Sequence, residues 1–294
     1  MIKKQLSFIF FCLVYLTIPT RAQQSACELL NKGITYYQNN QADSAVIVWQ
    51  QVVKNYPDTT SCYGRCYHNI PFAYLKLKQN DKAKEWFQKI IDSKLNDRDE
   101  GTHIMEPYAN YKHNACMKMA MLLFEEDKFD QMLRFLKLAE TKHKYQAVSG
   151  TSFEKRAVSI AYHRVRAWKA KKNDKEALFV MVEKMLDTDI FFRAPDVGSI
   201  TYLDFYRYFH PKLKPLVKEL YGYEKFVKQL KDAIETLRVK EVTIGKEKEK
   251  AKLATFTFDG RVFSIGSSND EYTEADFKKR LLDNSLFDVL KEKD

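Results

Sequence analysis

Cys62, Cys66 and His68 stand within seven residues of one another, a set that could begin a zinc site. Zinc sites of this kind draw a second ligand pair at similar spacing, and none follows here. The six histidines are His68, His103, His113, His143, His163 and His210. No two are four apart, so no helix face presents a pair of imidazoles. The acidic pairs Glu125-Glu126 and Asp270-Glu271 could do acid–base work only in apolar surroundings that split their pKa values. Both lie in polar, turn-like stretches. Gly-x-Ser-x-Gly, a Gly-rich phosphate loop and His-Glu-x-x-His are all missing from the sequence. The residues therefore supply no catalytic set, no metal site and no cofactor site, and the reading is that the chain is not an enzyme.

What must position a surface instead is the fold. The chain has 294 residues, and its 45% hydrophobic content suffices for a sizeable core. Only 9 Gly and 7 Pro occur, too few for a barrel, a sandwich or a Gly-loop enzyme, so a mainly α chain is expected. Residues 1–22 read as a signal peptide. Lys3 and Lys4 precede an apolar run from Leu6 to Ile18, and Thr20-Arg21-Ala22 offers small residues where a peptidase cuts. That run is shorter than the roughly 20 residues of a spanning helix. The mature chain is expected to begin near Gln23, exported to the periplasm or secreted, with no integral membrane span. Removing Lys3, Lys4 and Arg21, and no acid, lowers the formal balance from +10 to +7. This mild excess is spread along the chain rather than gathered in a stripe, which argues against nucleic acid. Four cysteines then remain. Buried thiols, or one opportunistic disulfide from Cys27 to Cys62 or Cys66, is the expectation, with Cys116 inward on its helix.

Helix pairs recur along residues 23–190. Leu29, Gly33 and Tyr36 share one helix face, Asn39-Asn40 turns, and Ala45, Trp49 and Val52 share the next. Tyr67, Ile70 and Tyr74 repeat the pattern, Gln79-Asn80-Asp81 turns, and Ala83, Phe87 and Ile90 follow. Two looser pairs come after. One has Cys116, Met119, Ala120 and Leu123, then Met132, Leu136 and Ala139. The other has Ala161, Val165 and Trp168, then Ala177, Met181 and Met185. The first two resemble the tetratricopeptide repeat (TPR) family through Gly33, Tyr36, Ala45, Trp49 and Pro57, then Tyr74, Ala83 and Phe87. Pro71 stands where Gly is expected. The resemblance implies an exported bacterial TPR-like protein whose first helices line a concave groove. By position that groove would carry Arg65, His68, Asn69, Lys118, Tyr162 and Arg166, with Tyr37, Gln38, Phe72, Met121 and His163 nearby. The partner implied is a protein or peptide, and three bases there favour an acidic one. The carboxylate clamp of some members is not supported, since Leu30 and Ile34 stand where polar residues should.

Residues 191–240 read as an aromatic-rich helical cap, with ten Phe and Tyr between 191 and 226 where the chain average gives about five. An exposed aromatic surface there would suit a glycan or other ligand, the alternative function. Glu224 to Val239 is expected as one helix. In 241–294, Ala254, Phe256 and Phe258 alternate with Thr, and Asp259-Gly260 predicts a hairpin pairing Phe258 with Arg261, Phe256 with Phe263 and Ala254 with Ile265. Thr273 with Asp276 predicts a capped helix start. The expected fold is a mainly α, tetratricopeptide-like helical-repeat solenoid with a small C-terminal β-hairpin plus helix.

Overall fold

A computed structural model of the chain describes residues 25–56, 61–95, 110–145, 150–192, 209–244, 249–267 and 271–291. The fold is mainly helical, in tetratricopeptide-like helix pairs, with a small three-stranded sheet near the C-terminus. The chain divides into two compact units, 1–86 and 87–294.

In the first unit, α1 (Ala26–Gln38) starts at Ser25, which forms a capping box with Glu28. It packs on α2 (Ala42–Asn55) by burying Leu29, Leu30 and Gly33 against Ala45, Val46, Trp49 and Val52. The Trp49 indole lies over the bare Cα of Gly33 and donates Nε1–H to the Leu30 carbonyl at 3.2 Å. A side chain at 33 would hold the helices apart, so the glycine is needed for the close approach. Next comes α3 (Ser61–Lys76), with Cys66, Ile70, Ala73 and Tyr74 buried, and then α4 (Asn80–Asp92) begins. Cys27 and Cys62 are joined by a disulfide, with Cα atoms 5.2 Å apart. Each is the second residue of its helix, so equivalent positions of successive first helices meet. Of the alternatives the sequence left open, Cys27 bridges to Cys62, and Cys66 stays a buried thiol.

In the second unit, α5 (Tyr111–Glu125) buries Cys116, Met119, Ala120 and Leu123, and α6 (Phe129–Thr141) buries Met132, Leu136 and Ala139 against it. The pair α7 (Gly150–Ala170) and α8 (Asp174–Phe192) follows. Six consecutive residues of α8, Ala177 to Val182, are all buried. A helix apolar on every side must be covered on every side. One side of α8 meets α7. The rest meets α9 (His210–Leu220), the sheet and the C-terminal helices.

The turns inside the four described helix pairs share one backbone device. Asn40, Lys78, Asp127 and Lys172 all have φ between 55° and 63°. The next amide bonds back to the carbonyl five residues earlier: Gln41 to Tyr36, Gln79 to Tyr74, Lys128 to Leu123 and Asn173 to Trp168. This satisfies a carbonyl that the helix end leaves open. The second turn centres on 77–79, and Asn80 already begins α4, two residues earlier than its polar run suggested. Asn and Asp tolerate the left-handed region, whereas Lys carries a Cβ penalty there. Lys172→Gly should therefore raise the urea midpoint by about 0.5–1 kcal/mol of stability, and Lys172→Val should lower it. Equal midpoints for the two variants would mean that the turn is not left-handed.

Beyond α9, α10 (Tyr223–Glu235) stops three residues before Arg238. The expected helix through Val239 is instead a shorter helix followed by a strand. β1 (Arg238–Ile244), β2 (Glu249–Phe258) and β3 (Arg261–Ser267) form an antiparallel sheet in that order. The β2–β3 register pairs Phe258 with Arg261, Phe256 with Phe263 and Ala254 with Ile265, as the Asp-Gly turn predicts. β1 is the addition. Its Glu241 sits opposite Lys252 and takes ion pairs from Lys250 at 3.3 Å and Lys252 at 3.6 Å. Such cross-strand charges suit an exposed edge strand. The inner sheet face, with Phe256 stacked on Phe263, rests on Phe179 of α8 and Phe226 of α10. Arg261 fixes the hairpin to α8 by donating to Glu176 at 2.7 Å and to Glu183 at 2.6 Å. Asp259 adds an ion pair with Lys175 at 2.9 Å and accepts from the Tyr221 hydroxyl. Thr273 and Asp276 form the predicted capping box of α11 (Glu274–Leu282), and α12 (Ser285–Lys291) completes the packing with Leu286, Phe287 and Leu290.

Candidate functional site

In the first unit, α1 and α3 diverge enough to leave a cavity of about 490 Å³. Ile34, Tyr37, Gln38, Trp49, His68, Asn69 and Phe72 line it. Two of the predicted binding residues, His68 and Asn69, are in this wall, while Arg65 lies a turn earlier on α3 and is exposed. Lys76 braces the wall. Its Nζ donates to the Tyr37 carbonyl at 2.9 Å and sits 4.4 Å from the centre of the Tyr37 ring. The His68 ring tilts against Phe72 at 5.0 Å. Burial pushes its pKa down to about 4, so the ring is neutral at pH 7. The cavity wall thus carries no formal charge. It combines aromatic and aliphatic surface with the amides of Gln38 and Asn69, a lining suited to an apolar side chain and one or two peptide groups.

In the second unit, Tyr162, His163 and Arg166 share one side of α7. The Arg166 guanidinium lies 4.1 Å from the centre of the Phe124 ring on α5 and 5.7 Å from that of Tyr162. Lys212 on α9 reaches the Tyr162 ring at 5.5 Å. His163 packs edge-on to Tyr162 at 5.3 Å. Burial, then the positive charges of Arg166 and Lys118, push its pKa down to about 4. The predicted Lys118, Tyr162 and Arg166 therefore meet in one cluster, joined by Phe124 and Lys212, which sequence reasoning missed. Nothing in a helical period links Lys212 to a helix fifty residues earlier. Met121, on the turn between Lys118 and Phe124, keeps 38% of its surface exposed.

Cys62 is spent in the disulfide, and burial holds the Cys66 thiol up at about 12, far from the thiolate that binds metal. Cys116 is pushed up to about 12 by the same cause. Among the described residues, no group of three His, Cys, Asp or Glu converges, and no helix is long and apolar enough to cross a membrane. Of the ten aromatics between 191 and 226, the side chains of Phe191, Phe192, Tyr202, Phe205, Tyr206 and Tyr208 lie outside the described residues. Phe209 and Phe226 are fully buried, and Tyr221 and Tyr223 are half-buried against the core. These four present no exposed aromatic platform.

The neutral rings have a measurable consequence. His68 and His163 bind a proton less readily folded than unfolded, and burial moves His113 the same way. The contribution of His68 and His163 is fully present above about pH 6.5 and is lost as pH falls towards 4. We expect stability to drop by of order 1–3 kcal/mol for each of His68 and His163 across that window, after allowance for partial exposure. Urea midpoints at pH 7, 5.5 and 4.5 would show the fall, and His68→Gln should flatten it. An unflattened profile would show that the ring is not held neutral.

The tetratricopeptide repeat family matches the chain twice, at residues 29–59 and 64–97. Among solved structures, a Podosopora anserina protein described as a kinesin light chain with nearly identical TPR-like repeats is similar, at 13% identity and a TM-score of 0.42. The match covers 65% of this chain and 90% of that one, and a single-substitution variant of the same protein gives the same figures. No curated protein matches the chain in sequence.

Proposed function

We propose that this protein is a non-catalytic, exported bacterial scaffold that binds a protein or peptide partner through the first helices of its repeats. The observation that carries the reading is the cavity of about 490 Å³ between α1 and α3, built within the two recognised repeats. Its neutral wall and paired amides suit an extended segment with an apolar side chain. Lys118, Arg166 and Lys212 of the second unit, which have no ion pair among the described residues, support an acidic partner. Export is supported by the leader-like residues 1–22 and by the Cys27–Cys62 disulfide, since such bonds persist in oxidising compartments.

A photo-crosslinking side chain at position 69 should capture a defined partner from the exported fraction, with the linked peptide mapped by mass spectrometry. The same group at Ile47, exposed on the second helix α2 of the first pair, should not. Equal capture at both positions would reject the first-helix surface. Reproducible turnover by the purified protein, lost on one polar substitution, would reject the non-catalytic reading. N-terminal sequencing of the exported product should begin near Gln23, and a retained Met1 in the membrane fraction would replace the leader with an anchor.

A further inference from the structure

Arg164, Arg166 and Lys169 lie along the last third of α7 and Lys171 follows its end, and three of these four are neutralised. Arg164 pairs with Glu140 at 3.2 Å, Lys169 with Asp174 at 2.7 Å, and Lys171 with Asp130. Arg166 differs. Among the described residues it has no acid partner, and its guanidinium lies against Phe124 and Tyr162 instead. Lys118 on α5 and Lys212 on α9 likewise make no ion pair among the described residues. Three helices thus contribute cations that have no ion pair among the described residues, Arg166 and Lys212 at the Tyr162 ring and Arg166 and Lys118 beside His163. Like charges gathered without counter-charge raise the local potential and attract an anion.

We infer that Lys118, His163, Arg166 and Lys212 form a proton-coupled binding site for a carboxylate-rich peptide segment. The inference rests on the scaffold reading above and names the partner chemistry of the second unit. A guanidinium held against an aromatic ring keeps N–H donors for a carboxylate. Met121 and the Tyr162 ring offer apolar surface for the aliphatic stems of Glu side chains. Phosphate is less suited, because such sites use helix N-termini and backbone amides. His163 and Arg166 stand thirteen and sixteen residues past the start of α7 and Lys118 seven past the start of α5, and only Lys212 is near a helix start. The proton enters through His163. The charges that bear on it are Arg166 on its own helix and Lys118 from α5, and both oppose protonation. A bound carboxylate reverses that local sign, so the ring accepts a proton on binding, and affinity rises as pH falls.

Fluorescein-labelled hexaglutamate serves as the probe, because its side chains stay largely ionised at pH 5.5. Anisotropy titrations of the whole chain should show binding that tightens about 3- to 10-fold from pH 7.5 to 5.5. Lys118→Ala with Arg166→Ala should weaken it at least about 10-fold, and His163→Gln should remove the pH dependence. Arg164→Ala, whose partner is Glu140, should bind as the parent does. Circular dichroism would confirm that each variant is folded. Failure to bind hexaglutamate, or an unchanged affinity in the double variant, overturns the site. A pH-independent affinity in the parent overturns the proton coupling. Heparin or phosphatidylglycerol vesicles bound tenfold more tightly than hexaglutamate would overturn the peptide in favour of a sulfate or lipid ligand. Partner capture at position 69 that survives the double variant would leave the scaffold reading standing while hexaglutamate decides this site.

Discussion

Gly33→Ala should destabilise the first unit by about 3 kcal/mol or more, the largest effect we expect from a single methyl group. A Cβ at this position would lie 2.2 Å from Trp49 Nε1, 2.6 Å from Cδ1 and 2.7 Å from Cε2. All three are inside van der Waals contact. The indole cannot swing away cheaply, because it is 2% exposed and its N–H is held by the Leu30 carbonyl. The strain must be relieved by parting α1 from α2, which opens the wall of the cavity as well. Urea denaturation would measure the loss. Gly33→Ala combined with Trp49→Phe should recover part of it, since the smaller ring leaves room for the methyl. A single variant as stable as the parent would show that Trp49 does not sit over residue 33.

Breaking the Cys27–Cys62 bond should have a comparable effect. The bond closes a loop of 35 residues that spans the whole first helix pair. Releasing that constraint from the unfolded chain corresponds to about 2–4 kcal/mol. Cys27→Ser should therefore lower the midpoint by that amount, and adding a reductant to the parent should bring it to the same value. Cys116→Ser should leave the response to reductant intact, because Cys116 is a buried thiol elsewhere. A parent midpoint indifferent to reductant would mean that the bond is absent in solution.

Helix pairing was legible because burial imposes its period directly. Leu29 and Gly33, Ala45 and Trp49, Met132 and Leu136 are spaced by four because each pair turns one face inward. The β2–β3 register was legible for a different reason. Asp259-Gly260 admits only a two-residue loop of positive φ, and that fixes every pair behind it. β1 was hidden because Arg238-Val239-Lys240-Glu241-Val242 mixes charge with a spacing of three, and its stabilising partners are Lys250 and Lys252 on another strand. The disulfide was ambiguous because Cys62 and Cys66 lie one turn apart, and only the rotation of α3 decides which meets Cys27. The same limit applies to the site. Arg164 and Arg166 are indistinguishable as residue types, yet one meets Glu140 and the other meets Phe124.

The clasp of Arg261 on Glu176 and Glu183 also closes off the helix pairs of the second unit. Each pair in a repeat array offers its successor a flank like the one it received. The terminal flank would serve equally well as a template for another copy of the chain, adding end to end without limit. The three-stranded sheet occupies that flank with a surface no helix pair can imitate, and its outward face carries Thr255, Thr257 and Ser264. It acts as a chain terminator in the polymer sense. Charge reversal at Arg261 would be expected to show itself first as fibres rather than as loss of helix.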